Sequence, residues 1–176
     1  DVDKINNLIG VTESFHASYK LAEILQDKEK REKIFDTFLG EEPDLSYDWF
    51  TEYFQQEHSD RKGKKQDFTP DGIVRVASGV LGKTESNADI CAGTGGLTVK
   101  RWSENPNAIF CCEEFSDRAM PFLLFNLAVR NIKGYVLHGD SLSRQFKHIY
   151  ELSKGEKFSE IKEIKEIPEM KADTVI

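Results

Sequence analysis

Hydrophobic and polar positions alternate with two different periods along this chain. In the first third the period is helical. Phe15, Tyr19, Ala22 and Leu25 recur on one face of a predicted helix. Asp27 is placed to cap a second helix carrying Ile34, Phe35, Phe38 and Leu39, with Gly40 just past its end. Ser46 is the predicted cap of a third, which carries Trp49, Phe50, Tyr53 and Phe54. An aromatic stripe of this kind could stack on bases, but at helical spacing it is expected to pack against neighbouring helices. Residues 70–82 form a further predicted helix, with Ile73, Val74, Ala77, Val80 and Leu81 on one side and Gly82 behind it.

Beyond this point short apolar runs and helical stretches alternate. A strand over Ala88–Cys91 leads into Gly93-Thr94-Gly95-Gly96, and Leu97–Trp102 begins a helix. Asn105-Pro106-Asn107 turns the chain into a strand over Ala108–Cys112. A helix follows from about Ser116 to Asn131, with Pro121 in its first turns or at its start, and then a strand over Tyr135–His138. Phe146–Ile167 mixes Lys and Glu around Lys154-Gly155, a pattern compatible with a hairpin or a broken helix; Ala172–Ile176 has the composition of another strand. Strand–helix alternation predicts an α/β fold, a parallel sheet with helices on both faces.

With 176 residues the chain holds one such domain and a small appendage, and the absence of any long apolar run predicts no membrane span. Charge divides it further. Residues 1–60 carry 6 cations and 15 anions, the remainder 18 and 16, so the acidity belongs to the helical segment alone. Arg61-Lys62-Gly63-Lys64-Lys65 reads as a solvated basic linker or a phosphate-contacting loop. The expected organisation is therefore a helical segment over 1–60, a linker over 61–65 and an α/β unit over 66–176. No basic–apolar–small leader is visible, and the chain opens on Asp1. Cys91, Cys111 and Cys112 lack the spacing of a zinc site, and the four histidines form no ligand pair, so no metal is expected. The cysteines are read as small buried hydrophobes in a cytoplasmic protein, and His138 as a packed core histidine rather than a base.

The candidate chemistry lies at the glycine cluster. A glycine turn directly after a strand lets a ligand approach the backbone at a helix N-terminus. The phosphate-cradling pattern Gly-x4-Gly-Lys-Ser/Thr fails because Thr98 stands where the second glycine belongs, and the dinucleotide pattern Gly-x-Gly-x-x-Gly fails at the same position. Acids stand at the strand ends instead: Asp89 before the turn, and Glu113-Glu114 after the second strand. Carboxylates there repel a pyrophosphate but suit the ammonium, ribose hydroxyls and adenine amine of S-adenosylmethionine.

These residues carry a resemblance. The chain resembles the N6-adenine DNA methyltransferases, specifically the modification-subunit family of type I restriction-modification systems. Gln66-Asp67-Phe68-Thr69-Pro70 is similar to that family's Gln-x-Phe-Thr-Pro, which binds the methionine end of the donor. Asp89-Ile90-Cys91-Ala92-Gly93-Thr94-Gly95-Gly96 is similar to Asp-Pro-Ala-Cys-Gly-Thr-Gly-Gly, with Ile90 for Pro and Cys91-Ala92 for Ala-Cys. Glu114 matches the acid that holds the ribose hydroxyls, with Asn126-Leu127 at the expected distance along the next helix and Glu113 as the fallback. His138-Gly139-Asp140-Ser141-Leu142 is similar to Gly-Asp-x-Leu, whose Asp accepts from the adenine amine.

The resemblance implies a partial Rossmann-like, class I S-adenosylmethionine-dependent methyltransferase sheet. Its cofactor site would comprise Gln66, Phe68, Thr69, Pro70, Asp89, Cys91, Gly93, Thr94, Gly95, Gly96, Glu114 and Asp140. It also implies DNA as partner, with a possible separate specificity subunit. The family's catalytic Asn/Asp-Pro-Pro-Tyr/Phe is missing, since none of the five prolines are adjacent. The chain is therefore expected to be an N-terminal fragment that binds donor without methylating a flipped-out adenine. Residues 172–176 are expected to form an open edge beside the first strand that pairs with another molecule, frays or is capped locally. Two other readings stay open: an interaction module docking a partner through residues 1–60, and a methyltransferase acting on RNA or protein.

Overall fold

The computed structural model describes residues 2–42, 44–57 and 69–167. The basic run 61–65, the strand expected over 172–176, and Gln66 and Phe68 lie outside the described residues. Four helices come first: α1 (Val2–Ile9), α2 (Ala17–Gln26) after a 3-10 turn at Ser14–His16, α3 (Lys28–Glu41) and α4 (Phe50–Glu57). Then follow α5 (Asp71–Leu81), β1 (Ser86–Ile90), α6 (Gly96–Glu104), β2 (Ile109–Glu114), α7 (Met120–Val129), β3 (Lys133–Asp140), β4 (Gln145–Lys154) and β5 (Ser159–Ile164).

Local rules account for most boundaries. Asp27 caps α3, accepting the Lys30 N–H at 3.2 Å. α3 runs through Gly40 to Glu41, one turn-end later than expected. At α4 the cap is Asp48, whose Oδ1 accepts the Phe50 N–H at 3.0 Å; the predicted cap, Ser46, donates instead to Asp44 Oδ1 at 2.7 Å. Pro121 falls in the first turn of α7, where its missing N–H costs nothing.

Two helix faces differ from expectation. In α2 the buried stripe is Ala17, Leu21 and Leu25, and Phe15 and Tyr19 are 56% and 69% exposed. Tyr19 sits two residues from Ala17, about 200° around the helix, and so points away once the small Ala17 faces α7. Phe15 lies before the helix, 5.6 Å from the Arg118 guanidinium. In α5 it is Val74 and Ser78 that are buried, while Ile73, Val76 and Val80 face outward. The polar Ser78 is taken inward because its hydroxyl donates to Glu104 (2.7 Å) and it accepts from Arg101 (3.2 Å), both on α6.

α7 is buried on every side. One of its faces meets the sheet and the other the N-terminal helices. The Phe125 ring stands nearly perpendicular to Phe35, Phe38 and Phe50, with centroids 4.9, 5.2 and 5.0 Å away. Phe122 meets Phe50, Tyr53 and Phe54. The aromatic stripe of α4 is thus core, as its spacing predicts. A single apolar cluster runs from Ile5 through these rings to Phe158 beside β5.

The sheet has the order β1-β2-β3-β4-β5, parallel across β1–β3 and antiparallel from β3 to β5. The expectation of a wholly parallel sheet is corrected at this edge. Residues 145–164 form a hairpin turning at Gly155, and connections of four residues, 141–144 and 155–158, are too short for a parallel crossover. The two parallel crossovers through α6 and α7 advance in the same direction, so right-handedness puts both helices on one face. Phe110, Cys112, Val136 and Leu152 face the common core. The residues between them, Ile109, Cys111, Tyr135, Leu137 and Ile149, face the other way and are outside that cluster. The expectation of helices on both faces is therefore met on one face among the described residues. None of the described helices is long and apolar enough to cross a membrane.

Candidate functional site

In-register pairing brings three strand tips level: Ile90 opposes Glu113, and Glu114 opposes His138, two residues before Asp140. The chain leaves β1 through a compressed turn. Cys91, Gly93 and Gly95 have φ of 68, 60 and 99°, the left-handed region that glycine adopts without strain. At Gly95 the requirement is double, because a Cβ would stand 2.9 Å from Leu123 Cδ1 of α7. The turn closes through the Gly95 N–H to Ala92 O (2.9 Å) and is hung on β2 by the Ala92 N–H to Glu113 O (2.9 Å).

Successive strand residues face opposite ways, and this separates the two acids of β2. The Glu114 side chain is directed to the turn: Oε2 accepts the Gly93 N–H at 2.7 Å and Oε1 the Ser116 N–H at 2.6 Å. Burial pushes its carboxyl above the usual range, against the pull of those N–H groups. Glu113 faces the other side, where Arg144 Nη1 meets both its oxygens at 2.6 and 2.8 Å. Arg144 holds a left-handed φ of 58° and lies 4.9 Å over the Phe146 ring. Glu114 is thus the acid joined to the glycine turn, and Glu113 is neutralised by its clasp.

Asp140 closes the third side. Its Oδ1 accepts the Leu142 N–H at 2.9 Å, and its Oδ2 the Ser143 hydroxyl at 3.0 Å. These donors, the Leu142 N–H foremost, hold its carboxyl below the usual range, so it stays ionised. Cys91 stands among all of them. Its thiol is raised first by burial and then by the carboxylates of Glu114, Asp89, Glu113 and Asp140. The reading of three buried cysteines is corrected here: Cys112 is buried, Cys111 is half-buried with its thiol raised to about 11, and Cys91 is exposed. His138 is buried, its Nε2 3.0 Å from Asp117 Oδ1.

Two predicted contact residues point elsewhere. Thr94 is 0% exposed, its hydroxyl donating to Asp48 Oδ2 at 2.6 Å. Asp89 turns beneath the turn toward α6, where the Thr98 hydroxyl donates to its Oδ2 at 2.6 Å. Burial raises the Asp89 carboxyl. Such a group keeps its proton to higher pH in the folded chain than in the unfolded one. Its contribution to stability is full below the ordinary carboxyl range and is lost as pH rises through the raised value. Asp89→Asn is therefore expected to raise the melting midpoint near pH 7 by roughly 2–4 °C, the shift that about 1 kcal/mol produces in a domain this size. The gain should vanish at about pH 3, where the unfolded carboxyl is also protonated. Thermal melts of the two proteins at both pH values check this; a gain that grows in acid contradicts it.

Thr69 and Pro70, the described part of the Gln66–Pro70 stretch, line a cavity of about 310 Å³ together with Gly96, Asp48 and Thr51. The structure thus brings the end of that stretch and the end of the glycine turn to one hollow. No family model, curated protein or solved structure matches the chain. Residues that sequence reasoning missed are Asp48, Thr98 and Phe115. Phe115 is 58% exposed directly after Glu114 and offers an aromatic face at the strand tip. An aromatic immediately after a strand-end acid was the available signal for it; Asp48 and Thr98 had none. Among the described residues no group of His, Cys, Asp or Glu could hold a metal ion. What the site offers is acceptors: the Glu114 and Asp140 carboxylates beside a backbone floor, a setting that repels phosphate and receives hydroxyls, amines and ammonium groups.

Proposed function

We propose that the strand-tip site binds S-adenosylmethionine, and that the chain is the donor-binding portion of a DNA adenine-N6 methyltransferase. The observation that carries the reading is the placement of Glu114 between β2's tip and the Gly93 N–H, with ionised Asp140 on the adjoining tip. The two Glu114 oxygens have about four lone-pair directions between them, and the backbone N–H groups of Gly93, Ser116 and Phe115 leave one to accept from a ribose hydroxyl. Asp140 would accept from the adenine amine, and Thr69 and Pro70 would flank the methionine end. When bound, the donor supplies an electrophilic sulfonium methyl. The chain's own residues hold and orient it, and the 176 residues include no Asn-Pro-Pro to grip a target adenine. The DNA substrate, a specificity subunit and a cytoplasmic setting rest on the motif resemblance.

The test is calorimetry with S-adenosylhomocysteine, the demethylated product, against ADP as a phosphate-bearing control. The reading requires binding of the former and little of the latter. Tighter binding of ADP, or no heat with either, overturns it.

A further inference from the structure

A buried polar network runs from the N-terminal helices to the glycine turn. Its hub is Asp48, buried in the loop before α4. Both carboxylate oxygens are doubly occupied. Oδ1 accepts from the Phe50 N–H (3.0 Å) and Asn126 Nδ2 (2.7 Å), and Oδ2 from the hydroxyls of Thr51 (2.7 Å) and Thr94 (2.6 Å). Asn126 Nδ2 also donates to the Thr94 carbonyl at 2.7 Å, so one amide grips both Asp48 and the backbone of the turn. Arg130, one turn along α7, fixes that amide by donating from Nη1 to Asn126 O (2.7 Å) and Oδ1 (2.8 Å). The same guanidinium holds the loop before α4, donating from Nε to Leu45 O (2.7 Å) and from Nη2 to Tyr47 O (2.8 Å).

The position of Thr94 gives this network its consequence. It stands between Gly93 and Gly95, both left-handed and both without a side chain to anchor them. Besides the Ala92 N–H to Glu113 O bond, the turn is therefore pinned at two neighbouring points: the Gly93 N–H by Glu114, and the Thr94 hydroxyl and carbonyl by Asp48 and Asn126. Each anchor narrows the freedom of the turn, and a turn already held in place spares ligand binding the ordering free energy.

We infer that Asp48, with Asn126 and Arg130, positions the Gly93–Gly96 turn for ligand binding, so that the N-terminal helical layer is a working part of the strand-tip site. The inference rests on the reading of that site as a donor site, and Asp48 acts on the ligand only through Thr94. The experiment uses the full chain and compares wild type with Asp48→Asn, Thr94→Val and Thr94→Ser, by calorimetry with S-adenosylhomocysteine and by amide NMR of Gly93 and Gly95. Thr94→Val is nearly isosteric and keeps Asp48 in place, so it remains informative if Asp48→Asn fails to fold. Asp48→Asn and Thr94→Val are expected to weaken binding about tenfold, the effect of one lost buried hydrogen bond, and to move the Gly93 and Gly95 signals. Thr94→Ser, which retains the hydroxyl, should bind within about twofold of wild type. Wild-type affinity in Thr94→Val with both glycine signals unmoved overturns the inference. If wild type itself binds no S-adenosylhomocysteine, the donor reading fails separately; the glycine signals then decide the positioning role alone, and signals unmoved in Thr94→Val reject it.

Discussion

Glu114→Gln is expected to weaken S-adenosylhomocysteine binding by roughly 10- to 100-fold, the equivalent of removing one or two hydrogen bonds to a charged acceptor. The substitution keeps the size of the side chain and removes its charge. It also turns one acceptor into a donor, which then faces either the Gly93 or the Ser116 N–H. Glu113→Gln is the matched control. Its carboxylate lies on the opposite side of β2 in the Arg144 clasp, so its loss should change affinity by less than about threefold. The pH dependence discriminates further. Because burial raises the Glu114 carboxyl, protonation competes with ligand in mild acid. Wild-type affinity should fall as pH drops through that raised value, while Glu114→Gln should lack this component. Calorimetric titrations across the acidic range measure both. Equal affinity in the two Glu variants, or a flat wild-type profile, would remove Glu114 from the site.

The second large effect is on stability. Phe125→Ala should cost about 3–5 kcal/mol, the usual range for emptying an aromatic side chain from a packed core. Three rings, Phe35, Phe38 and Phe50, meet Phe125 edge-on, and all three belong to the N-terminal helices. The cavity would therefore open between the helical layer and α7, not within either. That location makes a second prediction part of the first. The protein has two tryptophans, Trp49 before α4 and Trp102 in α6. Urea unfolding of single-tryptophan variants should give one midpoint from both reporters in the wild type, and the same lowered midpoint from both in Phe125→Ala. Two separated transitions would mean that residues 2–57 fold as a unit of their own.

How far the sequence could be read depends on the range of the interaction involved. The Asp27 cap, the glycine turn, the apolar strands over 109–112 and 135–138 and the aromatic stripe of α4 are each set by neighbours within a few residues, and each was legible. Ser46 and Asp48 are both good cap residues two positions apart. Only the approach of Thr94 and Asn126, distant in sequence, makes Asp48 the buried one. Phe15 and Tyr19 have the spacing of a core face, yet Ala17 takes it because α2 and α7 pack closely there. The hairpin of 145–164 was hidden for a different reason. Glu, Lys and His occupy much of both strands, so neither period dominates until β3 supplies a partner. At the candidate site the strand-end acids could be named, whereas their division of labour could not. Which of Glu113 and Glu114 meets the turn follows from the parity of β2, which a one-residue shift of the strand would invert.

The interlock between the N-terminal helices and α7 has a bearing on how the chain is made. On a ribosome α1 to α4 emerge before α7, and the surfaces they bury are encoded far downstream. Phe35 waits for Phe125, Asp48 for Asn126, and Arg31 for Glu160, which it meets at 3.1 Å. Translation at about 5–20 residues per second leaves those helices without their partners for several seconds. Their apolar stripes are carried through that interval on a segment of net charge −9, a charge that opposes association of like segments before α7 arrives.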